Sequence, residues 1–216
     1  MRQEKKIAHL LEKYFARKGE IEQRLRDFRL AGKKGGRRLF EELAFCLLTP
    51  QSKDFSCDEA VRELKMRGLL YGGSAAQISA ILSRKVRFHN KKSQYIVDAR
   101  KKLCKGRFSL LEKLTFSGSE AHARSLLLRG VDGLGLKEAS HYLRNVGRGS
   151  SIAILDRHIL KNLVEYGAIA RLPKSLTPKR YLEIEKKMAD FCKKTRIPLA
   201  HLDLLFWAEE TGRVFK

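Results

Sequence analysis

Cysteine, proline and tryptophan are scarce in this chain of 216 residues, which has four cysteines, four prolines and one tryptophan. The cysteines Cys46, Cys57, Cys104 and Cys192 lie far apart, and no two of them form a Cys-x-x-Cys pair. Their spacing fits neither a zinc ribbon nor the close cysteine cluster of an iron–sulfur site. We therefore expect four reduced thiols and no metal site.

Long apolar runs are also missing. No stretch approaches the roughly 20 residues that a membrane-spanning helix needs. The charged start, MRQEKK, is not followed by the apolar core of a signal peptide. We expect a monomeric, cytoplasmic protein associated with the nucleoid, without membrane contact.

Acidic residues are few relative to basic ones. The 46 lysines and arginines outnumber the 24 aspartates and glutamates, which gives a formal net charge of +22. Such an excess favours a polyanionic partner, and nucleic acid is the first candidate. No aromatic signature of a sheet-based RNA-binding domain supports RNA, so we predict double-stranded DNA.

Apolar residues recur at intervals of three and four along most of the chain, for example in segments 7–15, 39–47, 95–103 and 182–191. Alternating strand patterns are absent. Glycine- and proline-containing breaks, such as 32–36, 49–50, 72–74 and 172–178, separate the helical segments. The sequence therefore predicts an all-α protein.

The segment VDGLGLKEAS at 131–140 is the most informative part of the chain. Gly133 and Gly135 permit a tight turn whose bare backbone can approach a phosphate. Helical segments precede and follow this turn, which predicts a helix-hairpin-helix over about residues 121–147. Amides at such a helix start bind DNA backbone without reading sequence. The alternative is an ordinary glycine-rich connection between helices.

Lys137 opens the second helix of this motif, and Asp156 follows within the apolar segment 151–160. This arrangement resembles the helix-hairpin-helix DNA glycosylases. In more detail it resembles the second family of 8-oxoguanine DNA glycosylases, found in archaea and some bacteria. The resemblance is carried by GLGLKEASH at 133–141, LRNVG at 143–147, ILDRH at 154–158 and the terminal segment 207–216.

The resemblance implies that Lys137 and Asp156 are the catalytic residues. A lysine amine can attack the sugar C1′, displace the damaged base and leave a Schiff base from which β-elimination cuts the strand. An ionised aspartate can stabilise the positive charge that develops on the sugar. The alternatives are a surface lysine or phosphate contact for Lys137 and a helix N-cap for Asp156, although capping and catalysis can coexist.

Further residues are assigned by the same resemblance. Gly133, Gly135 and His158 would contact the DNA backbone, and Gln51, in LLTPQS at 47–52, would face the base left opposite the flipped nucleotide. The pocket for the damaged base would contain three residues: Trp207, Lys216 and Phe88. Simpler readings are a packed helical histidine for His158, a helix-ending turn at Gln51, core burial of Trp207, a disordered terminal lysine and a loop anchor for Phe88.

The fold implied by the family has two helical lobes with the active site in the cleft between them. We place residues 1–54 and 155–216 in one lobe and residues 55–154, with the hairpin, in the other. No cofactor is implied, although a structural cation could sit at the hairpin carbonyls. A glycosylase for another damaged or mispaired base, and a non-catalytic helix-hairpin-helix DNA-binding module, are the alternative functions.

Overall fold

The computed structural model describes residues 2–104 and 108–216, and within these ranges the chain is helical and contains no strand. The predicted all-α class is therefore confirmed. None of the helices in this part of the chain combines the length and apolar character required to cross a bilayer. The helices are α1 (Arg2–Gly32), α2 (Gly36–Leu48), α3 (Asp54–Met66), α4 (Leu69–Gly72), α5 (Ala75–Leu82), α6 (His89–Leu103), α7 (Ser109–Phe116), α8 (Glu120–Gly130), α9 (Leu136–Asn145), α10 (Arg157–Glu165), α11 (Pro178–Thr195) and α12 (Leu199–Thr211).

Two hydrophobic cores divide the molecule into two lobes. One core is built by α2 to α9, from Leu39 to Ile152, and contains the fully buried Tyr142. The other is built by α1 and by the chain from Ala153 to Phe206. Both chain ends therefore pack together, while the middle of the chain forms a lobe of its own.

The position of helix α2 differs from the lobe assignment predicted from the sequence. We assigned residues 1–54 to the terminal lobe, but the buried side chains of α2 from Leu39 to Leu48 belong to the middle core. Almost every residue of this helix is buried, including the charged Glu41 and Glu42, and the apolar side chains of residues 43–48 surround the axis rather than forming one stripe. The helix lies against α1, α3, α6, α7 and α9.

Buried ion pairs join the two lobes. Arg124 of α8 donates from Nη1 and Nη2 to the Glu185 carboxylate of α11, at 2.6 and 2.8 Å. Arg144 of α9 lies with Nε 3.3 Å from Oδ2 of Asp203 on α12. Unpaired charges in such positions would be strongly destabilising, so these pairs fix how the lobes meet.

Candidate active site

A cleft of about 370 Å³ lies where several helix ends converge. Its walls come from the segment after α2, the starts of α3, α9 and α10, and one residue of α12. The lining residues are Thr49, Pro50, Gln51, Ser52, Asp54, Lys137, Glu138, Leu155, Asp156, Arg157, His158 and Trp207. Five of the nine predicted site residues are therefore brought to one cleft.

Lys137 is the second residue of α9. Its side chain is about one-fifth exposed, and its Nζ donates to Oγ1 of Thr49 at 3.3 Å. The carboxylate paired with it, that of Glu138, has its Oε1 4.0 Å away. A hydroxyl contact and a distant carboxylate leave the amine oriented into the cleft without a tight ion pair.

Asp156 is the N-cap of α10, where its Oδ1 accepts a hydrogen bond from the Ile159 amide at 2.8 Å. One carboxylate oxygen satisfies an amide that the helix itself cannot pair. The residue also lines the cleft with Lys137. The capping role considered from the sequence is confirmed, and it coexists with a position beside the candidate nucleophile.

Two further carboxylates lie near this pair. Burial raises the pKa of Asp54, and repulsion from Asp156 adds to the shift, whereas Lys137 opposes it. The pKa of Asp203 is raised to about 6, mainly by burial; Asp156 and Asp54 contribute to the rise, and Arg144 and Lys137 oppose it. The described residues contain no group of three or more His, Cys, Asp or Glu side chains arranged for a metal ion.

The hairpin glycines have different roles in the backbone. Gly133 has φ +87°, in the left-handed region that favours glycine, and the ring of Tyr95 packs where a side chain would begin. Gly135 is extended and is the N-cap of α9. Its amide donates to Oε2 of Glu138 at 3.2 Å, so a phosphate binding this amide would have to displace the Glu138 carboxylate.

Three other predicted residues surround the cleft. Gln51 is exposed and has φ +54°, which is uncommon for a non-glycine residue. His158 lies with Nδ1 3.1 Å from Glu210 Oε2, and its ring packs edge-on against Trp207 at 5.7 Å. The Trp207 Nε1 is buried and has no hydrogen-bond partner within the described part of the chain. A donor left in this state is suited to a ligand that supplies an acceptor.

Phe88 and Lys216 do not line this cleft. Phe88 precedes α6, is 55% exposed and has Arg87 5.5 Å above its ring. The Lys216 ammonium is 2.6 Å from Asp58 and 3.2 Å from Glu42, and it lies 4.6 Å from the ring of Phe45. In this structure the two residues belong to a basic surface and to a buried ion pair on α2 and α3, respectively.

The sequence interpretation missed several residues of the site. Thr49 and Asp54 flank Gln51 in the chain, so the same segment could have indicated them. Lys92 is hidden in a basic segment that reads as solvated surface, yet it is 3% exposed and binds the loop that carries Gln51. No local pattern distinguishes this lysine from its exposed neighbours.

The fold and the residues of the cleft together define the class of protein to which this chain belongs. Two helical lobes, a helix-hairpin-helix that delivers a lysine and a helix-capping aspartate in one cleft constitute the helix-hairpin-helix DNA glycosylase fold. A family model described as 8-oxoguanine DNA glycosylase matches residues 21–197. The chain belongs to this 8-oxoguanine DNA glycosylase family, and the resemblance read from the sequence is confirmed.

Individual relatives agree with this assignment. The chain is 44% identical, over 91% of each chain, to an 8-oxoguanine DNA glycosylase/AP lyase of Fusobacterium nucleatum. A crystal structure of the 8-oxoguanine DNA glycosylase of Thermotoga maritima superimposes with a TM-score of 0.87 at 29% identity, covering 99% of this chain and all of that one. The glycosylase/lyase of Methanocaldococcus jannaschii, crystallised with a 15mer DNA containing 8-oxoguanine, gives 0.84 at 32% identity, with 96% and 100% covered.

Proposed function

We propose that this protein uses Lys137 as nucleophile and Asp156 as electrostatic partner to remove 8-oxoguanine from double-stranded DNA. Its family makes it a DNA glycosylase with AP lyase activity. The observation that carries the residue assignment is the shared cleft, which joins the starts of α9 and α10 to the loop after α2. The side chains of Lys137 and Asp156 both line this cleft.

In the proposed reaction Lys137 first loses a proton to solvent water. Its Nζ then forms a bond to C1′ as the bond from C1′ to the base breaks, and the electron pair leaves with the base, which takes up a proton. Asp156, as a carboxylate, stabilises the positive charge on the sugar. Opening of the sugar ring gives a Schiff base, and loss of a C2′ proton expels the 3′ phosphate by β-elimination.

The remaining residues of the cleft would serve DNA binding and base flipping. Gln51 is exposed on a short loop and can donate to and accept from an unpaired base. Trp207 offers a ring and an unpaired Nε1 to the extruded base. His158, Gly133 and Gly135 would contact backbone phosphates, which position the protein without reading sequence.

Borohydride trapping tests the nucleophile. The wild-type protein should form a covalent adduct with a duplex containing 8-oxoguanine, and Lys137→Gln should not. Lys53→Gln is the matched control because it removes the same charge from an exposed residue next to the cleft. Binding without an adduct in the wild type would favour the non-catalytic DNA-binding module. Trapping only on oxidised-pyrimidine or mismatched duplexes would favour the other-lesion alternative.

The role of Asp156 can be separated from its cap. Asparagine caps helices about as well as aspartate, so Asp156→Asn should keep the thermal stability of the wild type while removing the charge. We expect excision to slow by roughly 10²–10³-fold, the scale for loss of one electrostatic contact to a transition state. Unchanged excision by a folded Asp156→Asn variant would refute the assignment.

A further inference from the structure

Lys92 is a buried lysine on α6 that the reaction described above does not use. Its side chain is 3% exposed. Its Nζ donates to the carbonyl oxygens of Leu48 and Pro50, each at 2.7 Å, and to Oγ of Ser52 at 2.9 Å. An ammonium has three donors, and here each donor has one acceptor, so the site is shaped for the charged form.

The charge is balanced by the end of a helix. The three groups that accept hydrogen bonds from the Lys92 Nζ are two carbonyls and a hydroxyl, all neutral, and burial lowers the pKa of Lys92. Leu48 is the last residue of α2, where unpaired carbonyls carry partial negative charge that favours a cation. Lys92 is therefore a cap for α2 that reaches across from α6.

The same contacts fasten the loop of residues 49–52. The Leu48 carbonyl also accepts from the thiol of Cys57 at 3.2 Å, and the Ser52 hydroxyl accepts from the Arg87 amide at 3.0 Å. Between these anchors Gln51 adopts φ +54°. This conformation is strained for a non-glycine residue, so the loop needs external contacts to keep it.

The loop faces the reaction site. Thr49 accepts the hydrogen bond from Lys137, and Gln51 lies at the exposed edge of the cleft. Extruding a base breaks its stacking and pairing and leaves a gap in the duplex. A side chain that fills this gap must be carried by a backbone that keeps its conformation when the side chain contacts the neighbouring bases.

We propose that Lys92 is a positioning residue for base flipping, which holds the loop of residues 49–52 in the conformation that directs Gln51 into the duplex. This inference rests on the proposed function, specifically on the insertion of Gln51. It assigns a role in opening the duplex, not in the bond-breaking steps. The two roles can be separated by giving the enzyme a substrate that needs no opening.

Lys92→Met tests the proposal, with Lys91→Met as the matched control. Lys91 is the neighbouring residue of α6 and is exposed over the ring of Tyr95, so both variants lose the same charge from the same helix. The substrates are an 8-oxoguanine duplex with fluorescent pyrrolocytosine opposite the lesion and a single strand with a preformed abasic site. Single-turnover excision, the fluorescence change on binding and β-elimination on the single strand are measured.

Relative to Lys91→Met, the variant Lys92→Met should excise 8-oxoguanine from the duplex at least about tenfold more slowly, because the loop of residues 49–52 is no longer held in place while the base flips. The change in pyrrolocytosine fluorescence on binding should also be lost in Lys92→Met. Cleavage of the abasic single strand should stay within about threefold of the control, since no base is flipped. Lys92→Arg, which keeps the charge and several donors, should recover part of the duplex activity.

Equal duplex activity of Lys92→Met and Lys91→Met would overturn the proposal. So would an equal loss on duplex and single strand, because that pattern indicates collapse of the cleft. If Lys92→Met does not fold, Ser52→Ala removes one of the three acceptors of Lys92, together with the acceptor of the Arg87 amide, and should show the same duplex-selective loss in weaker form. Gln51→Ala, measured in parallel, distinguishes the two hypotheses. If Gln51→Ala leaves the pyrrolocytosine fluorescence change intact, Gln51 is not the inserted residue. If Gln51→Ala abolishes the fluorescence change but Lys92→Met does not, only the positioning role of Lys92 is refuted.

Discussion

Replacing Gly133 by alanine should destabilise the hairpin in a way that Gly135→Ala does not. A Cβ at Gly133 would lie 2.6 Å from Cε2 and 2.7 Å from Cγ of the Tyr95 ring, on a residue with φ +87°. At Gly135 the backbone is extended, and the new Cβ would meet only the flexible end of the Glu138 side chain, at 2.9 Å. The two substitutions add the same methyl group two residues apart.

The expected magnitude has two parts. A left-handed conformation costs alanine about 1–2 kcal/mol. Displacing a packed ring adds about 1–3 kcal/mol, nearer the lower end because Tyr95 is only partly buried and can turn toward solvent. We expect Gly133→Ala to lower the free energy of unfolding by about 2–4 kcal/mol, against less than about 1 kcal/mol for Gly135→Ala.

Urea unfolding followed by circular dichroism measures these differences, and Tyr95→Ala completes a double-mutant cycle. Without the ring, Gly133→Ala should cost only the conformational part, about 1–2 kcal/mol. Equal stability of the Gly133→Ala and Gly135→Ala variants, or a cycle with no coupling between Gly133 and Tyr95, would refute this account of the hairpin.

Three other predictions follow from the buried charges and the proposed chemistry. The pKa of Asp203 is raised to about 6, so as the pH rises this carboxyl ionises in the unfolded chain before it ionises in the folded protein. Its contribution to stability, about 3 kcal/mol, is therefore present below pH 4 and lost as the pH rises to about 6. The difference in unfolding free energy between the wild type and Asp203→Asn should fall over this pH range, and a difference that does not change with pH would contradict the prediction. Arg124→Met leaves the Glu185 carboxylate buried without its bidentate partner and should cost about 3–5 kcal/mol by urea unfolding, whereas a loss below about 1 kcal/mol would show that the pair does not join the lobes. Because an amine nucleophile requires no metal, excision should continue in excess EDTA, and loss of base release with retained DNA binding would contradict the mechanism.

The helical class and the central motif could be predicted because their determinants are local. Apolar spacing of three and four residues predicts helices, and two glycines before Lys137 predict the hairpin. The capping role of Asp156 was foreseeable for the same reason, since a side chain that pairs with an amide three residues later depends on neighbouring sequence only.

Long-range packing was less predictable. Segment 36–48 lies far from the hairpin in the chain, yet α2 is buried in the lobe that carries the hairpin, and even its charged Glu41 and Glu42 are buried there. Lys92 illustrates the same limit for charge: it lies in a basic segment, and only the fold brings the end of α2 to its ammonium. Spacing along one helix carries no information about a partner on another.

In the proposed mechanism one cleft serves two side chains with opposite electrostatic demands, and the convergence of helix ends suits both. A nucleophilic lysine must give up its positive charge, whereas its carboxylate partner must keep a negative one. Lys137 stands in the first turn of α9 and Asp156 caps α10, and the positive end of a helix dipole disfavours added cation and favours anion. Each effect is worth only about 0.3–1 kcal/mol at an exposed helix end, but both act in the required direction. The geometry of the two helix starts would therefore favour the proposed chemistry, and exchanging the lysine and the aspartate between the two positions would reverse both effects.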